Sequence, residues 1–193
     1  KTDYLWKQVL NRESLANIIE SYAQVVEEEE ADASGKKRKK RKQIFPRFHQ
    51  LRTVRALLRR AHTDGVGKRY LIQHSAGSGK SNTIAWLAHQ LVELRRKDDP
   101  MTAQFDSIVV ITDRRALDTQ IARTIKGYDH VAAIFGHSDN AQELREYLRR
   151  GKKIIVTTVQ KFPFILDELG DLSGKSFALL IDEAHSSQGG KAT

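Results

Sequence analysis

The sequence contains no cysteine. That absence excludes a disulfide framework and any thiolate metal site, and it makes a reducing cytoplasm the expected setting. There is also no run of about eighteen apolar residues of the kind that crosses a membrane. The first residues, KTDYLWKQ, lack the apolar core of a signal peptide, so no membrane partner is expected. Acidic residues are missing from one stretch in particular: Lys36 to Arg60 holds twelve Lys/Arg and no Asp/Glu. The chain as a whole carries a formal charge of +9, with 33 basic and 24 acidic residues, so the basicity belongs to that segment and not to the rest. Such a cluster suits a phosphate-rich partner, or equally a solvated linker beside an arginine-faced helix.

What is present is enough for a real core: 193 residues, 39% hydrophobic, consistent with one α/β domain and an appendage. Residues 1–26 read as a helical connector, with Leu5, Val9, Leu10, Leu15, Ile18, Ile19 and Tyr22 at three- and four-residue spacing. Ser14 is a candidate breaker or second N-cap. Residues 27–42 join a block of glutamates to a block of lysines and arginines through Ser34-Gly35; this composition reads as a charged flexible linker. From residue 43 to 193 the pattern becomes regular. A helix over 51–62 buries Leu51, Val54, Leu58 and Ala61 and turns Arg52, Arg55 and Arg59 outward.

Strand and helix then alternate: strand YLIQH (70–74), helix 80–96, strand SIVVIT (107–112), helix 116–125, strand VAAIF (131–135), helix 141–149 capped by Ser138 or Asp139, and strands KIIVTT (153–158) and FALLID (177–182). Strands that are apolar along their length and separated by helices indicate a doubly wound parallel sheet covered on both faces.

The stretch HSAGSGKS, His74 to Ser81, sits between the first of these strands and the first helix. A tight glycine loop feeding a helix aims several backbone N–H groups at one point, where the helix dipole adds roughly half a positive charge. Phosphate is the natural occupant. Gly77 and Gly79 permit close approach, Lys80 can reach the β/γ-phosphates, and the Ser81 hydroxyl can ligate Mg²⁺. His74 stands where the strict pattern GxxxxGK[ST] has glycine, which leaves the shorter GxGK[ST] intact; the plainer reading of His74 is a packed loop residue. About a hundred residues later ALLIDEAH ends a strand in Asp182 and Glu183, one suited to hold Mg²⁺ through water and the other to polarise an attacking water. A DE pair alone could simply cap a helix, and a GKS loop alone could be a glycine-rich turn; the pair makes the stronger pattern.

In order, GSGKS, TDRRALDTQ (112–120), TTVQKF (157–162) and DEAH (182–185) resemble the first motor domain of superfamily 2 helicases and translocases. More narrowly, PRFHQLRTVRALL (46–58), QHSAGSGKS, ITDRRALDTQI and LLIDEAHSSQ resemble the R (restriction) subunit of type I restriction–modification enzymes. One departure is Ser186, where the family pattern has arginine.

The resemblance implies a P-loop NTPase of RecA-like fold that uses ATP and Mg²⁺ and moves on double-stranded DNA. It implies that Gln50 reads adenine, that ATP is held by His74, Ser75, Ala76, Gly77, Ser78, Gly79, Lys80, Ser81 and Asn82, and that His185 couples the nucleotide to movement. It places DNA contacts at Thr112, Arg114, Arg115, Thr157, Thr158 and Gln160, with Lys80 and Glu183 as the catalytic pair. It implies partners too: modification and specificity subunits, and a second RecA-like domain that completes the ATP cleft. The nuclease carboxylates that such a subunit carries ahead of its motor have no convincing counterpart in residues 1–42, so the sequence reads as the ATP-binding half of a larger motor. Rival readings are another superfamily 2 helicase or remodelling ATPase, a small P-loop kinase, and a non-catalytic module that binds nucleic acid through Lys36–Arg60.

Overall fold

The computed structural model describes residues 3–31, 37–75, 77–113, 115–126, 134–164, 172 and 174–183. The chain divides into two compact units, Lys1–Arg52 and Thr53–Thr193, with the division inside a helix.

In the N-terminal unit a π-helical turn, Leu5–Val9, precedes α1, Arg12–Ser21. The break between them is made by Asn11, whose side-chain oxygen accepts from the Ser14 N–H at 2.8 Å. The cap is therefore Asn11 and not Ser14, whose hydroxyl instead donates to the Gln8 carbonyl at 2.6 Å. An Asx cap satisfies a helix-start N–H that would otherwise lack a partner. Next comes the largest departure from expectation. The described residues of the segment expected to be a flexible linker are strand: β1, Gln24–Ala31, pairs antiparallel with β2, Lys37–Ile44, as a two-stranded sheet of its own. Composition favoured solvation, but the register sets Glu27, Glu28, Glu29 and Glu30 opposite Arg41, Lys40, Lys39 and Arg38, and opposite charges across strands are attractive.

Helix α2, Phe48–Asp64, runs longer at both ends than its periodicity suggested. Its start is set by Gln50, whose side-chain oxygen accepts from the Arg47 N–H at 2.8 Å while Leu51 N–H donates to the Arg47 carbonyl at 3.0 Å. This is the returning half of a capping box.

The larger unit is a four-stranded parallel sheet in the order β4-β5-β3-β6, built from β3, Ser107–Thr112, β4, Phe135–His137, β5, Ile154–Thr158, and β6, Phe177–Ile181. Among the described residues three helices cover it: α3, Lys80–Glu93, α4, Arg115–Lys126, and α5, Ala141–Arg149. Val109, Ile111 and Ile155 face α5 and pack with Leu144 and Leu148. Side chains alternate along a strand, so Ile108, Val110, Ile154 and Val156 point the other way, where α3 and α4 lie. Helices on both faces make the sheet doubly wound, the α/β class expected. The cap of α5 is Asn140, which accepts from the Glu143 N–H at 2.9 Å, in place of Ser138 or Asp139.

Two strands differ from expectation. The segment YLIQH does not enter the sheet. Leu71 is 88% exposed, and the segment is tied at Tyr70, whose hydroxyl donates to Asp64 at 2.8 Å. An apolar run becomes a strand only where a neighbour offers hydrogen bonds, and among the described residues no strand pairs with 70–74. Among the same residues β6 has β3 on one side and no strand on the other, and Leu179 and Ile181 on one of its faces stay more than half exposed. Most of the expected strand at 131–135 lies outside the described residues; the observed β4 starts at Phe135.

Candidate functional site

Parallel strands deliver their carboxyl ends to one edge of the sheet, and ligands of such folds gather there. Here that edge carries Thr112, Thr158 and Asp182, because β3, β5 and β6 all end together: Thr112 stands opposite Thr158, and Ile111 opposite Ile181. The Asp182 N–H donates to the Ile111 carbonyl at 2.9 Å, extending the ladder by one residue and fixing where the carboxylate begins.

The glycine loop meets this edge. Gly77 and Gly79 both have positive φ, +70° and +83°, in the left-handed region that side chains disfavour. Gly79 is the residue before α3, and Thr83 donates to its carbonyl from both N–H, 3.2 Å, and hydroxyl, 3.3 Å. Among the described residues no side chain caps this helix start, the position where an external anion meets backbone N–H groups and the helix dipole together. Ser78 is buried, Ser75 is exposed, and Lys80, Ser81 and Asn82 are half-buried in the first turn. His74 packs in the loop, its Nε2 3.4 Å from the Thr53 hydroxyl.

Lys80 Nζ lies 3.5 Å from Glu183 Oε1. Two sequence motifs a hundred residues apart are thereby joined at one point. Asp182, 8% exposed, sits beside them with its carboxyl pushed above the usual range, first by burial and then by the Glu183 charge; Lys80 and the Glu183 N–H pull the other way. That N–H donates to Asp182 Oδ1 at 3.1 Å. Glu183 has φ +55°, the one non-glycine residue with positive φ among those described. Backbone strain of this kind collects at functional positions. Lys80 offsets part of the charge of the two carboxylates, the Asp182 pKa still stands raised, and a hard cation would supply further positive charge. The Asp182 carboxylate here, and the Ser81 hydroxyl in the first turn of α3, are oxygen donors of the kind Mg²⁺ takes, an ion that needs few protein ligands and completes its shell with water and phosphate.

The second group of predicted residues lines the same edge further along. Thr112, Thr157 and Thr158 are buried, and among the described residues the Thr112 hydroxyl has no hydrogen-bond partner although it is 1% exposed. Thr157 accepts from the Ser138 hydroxyl at 2.9 Å. Gln160 is exposed and its amide donates to the Asp113 carbonyl at 3.0 Å. Thr158 and Gln160 line a cavity of about 410 Å³ together with Asp113, Asn140 and Lys161. The residues that sequence reasoning missed are Lys161, whose ammonium donates to the Ser138 carbonyl, and Asp113. Lys161 lies inside the quoted motif TTVQKF, but its direction depends on a 3₁₀ segment, Val159–Phe164, that periodicity does not reveal.

Arg115 opens α4, next to this edge. Ala76, Arg114 and His185 lie outside the described residues. Gln50 is 3% exposed and belongs to the N-terminal unit, where its oxygen caps α2.

Comparisons with known proteins fit this arrangement. The chain is 32% identical over 129 residues to the C-terminal part named for the type I restriction enzyme MpnIIP endonuclease subunit of Mycoplasma pneumoniae, covering 62% of this chain and 57% of that one. It is 32% identical over 123 residues to the type I restriction enzyme HindI endonuclease subunit of Haemophilus influenzae, covering 61% of this chain and 11% of that one. A 25% identity over 170 residues links it to a protein named for the MjaIXP endonuclease subunit of Methanocaldococcus jannaschii, of which it spans 15%. The chain thus spans only part of the relatives it matches. The SWI2/SNF2 ATPase family matches residues 49–193, from the start of α2 through the glycine loop to the carboxylate pair, and the chain belongs to that family.

Proposed function

We propose that this chain is the ATP-binding half of an ATP-dependent double-stranded DNA translocase, the motor subunit of a type I restriction endonuclease. The observation that carries the reading is the meeting of Lys80 with Glu183, 3.5 Å apart, at the carboxyl edge of the sheet and beside the buried Asp182. In this reading the N–H groups of the loop from His74 to Ser81 and the start of α3 cradle the phosphates. Lys80 leaves Glu183 for the β/γ-phosphates, which frees the carboxylate to orient water and take its proton. Ser81 and Asp182 hold Mg²⁺, whose role is to neutralise charge on the phosphates. Gln50 reads the adenine, and His185 couples the nucleotide to movement.

Thr112, Arg114, Arg115, Thr157, Thr158 and Gln160 contact the DNA backbone, to which Lys161 is added because it lines one cavity with Thr158 and Gln160. Hydroxyls and cations there suit phosphate oxygens and carry no base specificity. Base reading is left to the specificity subunit, with the modification subunit as further partner. A second RecA-like domain of the parent chain completes the cleft, and the cytoplasm is its compartment. No helix among the described residues is long and apolar enough to cross a membrane. The SWI2/SNF2 match favours a second reading, a remodelling ATPase or other superfamily 2 helicase.

Equilibrium binding of a fluorescent ATP analogue with Mg²⁺ tests the site. Lys80→Ala is expected to weaken it by a hundred-fold or more, about 3 kcal/mol, because the variant cannot make a charge-assisted hydrogen bond to phosphate. Equal binding by both proteins would refute the loop assignment. Stimulation of the ATPase of a longer chain by duplex DNA and not by RNA would separate the two readings.

A further inference from the structure

The basic segment has a use that its pairing conceals. We propose that the acidic strand β1 is an internal competitor for the basic strand β2, so that β2 engages a nucleic-acid phosphate backbone only when the two strands part. The choice of nucleic acid as the polyanion rests on the function proposed above; the competition rests on the register.

Six consecutive bases, Lys37 to Lys42, form most of β2. Four of them, Arg38, Lys39, Lys40 and Arg41, stand directly opposite Glu30, Glu29, Glu28 and Glu27. Partners across an antiparallel pair share a face, and successive residues alternate between faces. Glu27 and Glu29 therefore share one face with Arg41 and Lys39, and Glu28 and Glu30 share the other with Lys40 and Arg38. Neither face is left as a bare row of cations. A free run of six bases would release counterions from DNA and bind it with a steep salt dependence. In the closed hairpin four of the six bases stand at register positions opposite glutamates, whose carboxylates offer the same anionic oxygens as phosphate.

The hairpin is also built to open. It forms a two-stranded sheet separate from the four-stranded one, and isolated two-stranded ribbons are of marginal stability in water. Lys40, Arg41, Lys42 and Gln43 are exposed, so the attraction between the strands is screened by salt. The end nearest α1 and α2 is the less charged one, where Gln24 and Val25 stand opposite Ile44 and Gln43. Separation then proceeds from the highly charged middle, where a polyanion replaces β1.

Because the chain has no cysteine, a single engineered disulfide gives a clean test. Val25→Cys with Gln43→Cys joins register partners at the open end of the hairpin, so that the disulfide ties one end and chain continuity the other. Hydrogen-bonded and non-hydrogen-bonded pairs alternate, so Gln24→Cys with Ile44→Cys offers the other geometry. Duplex-DNA affinity of the full chain is measured by anisotropy without nucleotide, over a salt series, in the oxidised and reduced states of the same protein. The oxidised form is expected to bind about ten-fold more weakly and with a shallower salt slope, and reduction to restore both.

In the cysteine-free chain, Glu27→Gln/Glu28→Gln/Glu29→Gln/Glu30→Gln should tighten binding about ten-fold, well beyond a charge-matched control at Glu13, Glu20, Glu93 and Glu146. Equal affinity in both redox states, equal gain from the control variant, or no DNA binding in either state overturns the proposal. Nucleotide binding at Lys80 is read separately, so failure of the ATP site leaves this test intact.

Discussion

Replacing Gly77 by alanine isolates one physical effect in the phosphate loop. The residue has φ +70°, and a Cβ built there meets no atom within 4 Å. Steric clash is thereby removed from the comparison, and only backbone conformation remains. Holding an L-residue in the left-handed region costs about 1–2 kcal/mol. Alanine also restricts the unfolded chain, which returns about 0.4–1 kcal/mol. The strain outweighs that return, so the net loss is about 1 kcal/mol. For a chain of this length that corresponds to a fall in Tm of roughly 2–4 °C.

Asparagine tolerates this conformation better, so Gly77→Asn should lose about half as much. Gly136 gives the opposite case: its added Cβ would lie 2.7 Å from Tyr147 Cδ2, so Gly136→Ala acts by displacing a ring that packs against the α5 core. Thermal and urea unfolding of the full chain without nucleotide provide the assay. If Gly77→Ala is as stable as the parent, or if alanine and asparagine cost the same, the left-handed loop geometry is refuted.

Asp182→Asn should raise stability in the absence of metal and nucleotide, by about 1 kcal/mol, while abolishing Mg²⁺-dependent nucleotide binding. The reason is that the Asp182 pKa is raised by burial, so above its folded value the ionised carboxylate opposes folding, and this penalty fades as pH falls through that value. If the Asp182→Asn protein melted below the parent at neutral pH, that reasoning would be contradicted. His89 behaves in the opposite sense. Its Nε2–H donates to the Ile125 carbonyl at 3.1 Å, joining α3 to α4, and burial lowers its pKa. Below pH 6.5, the ordinary histidine value, the unfolded chain takes up a proton that the folded chain resists, so stability falls as pH is lowered through and below that point. Urea midpoints at pH 7.5 and 5.5 should show this fall in the parent and a smaller one in His89→Gln; identical falls would show that His89 is not the cause.

Elements whose character depends on neighbours in the chain were legible from the residues alone. SIVVIT, with five β-branched residues in a row, reads as a buried strand, and the periodicity of 141–149 is that of a helix. The GSGKS loop and the DE pair could be read because phosphate chemistry demands those residue types in that order. Folding settled whatever depends on a distant partner. It brought Lys80 to Glu183, buried Asp182 beside them, and turned Lys161 toward Ser138, none of which any spacing encodes. It left YLIQH out of the sheet, because a strand is defined by its neighbour and not by its own residues. It also made a hairpin of a stretch whose composition favours solvation. The sign of charge is written in the sequence, but which charges stand opposite each other is fixed only when the chain folds back on itself.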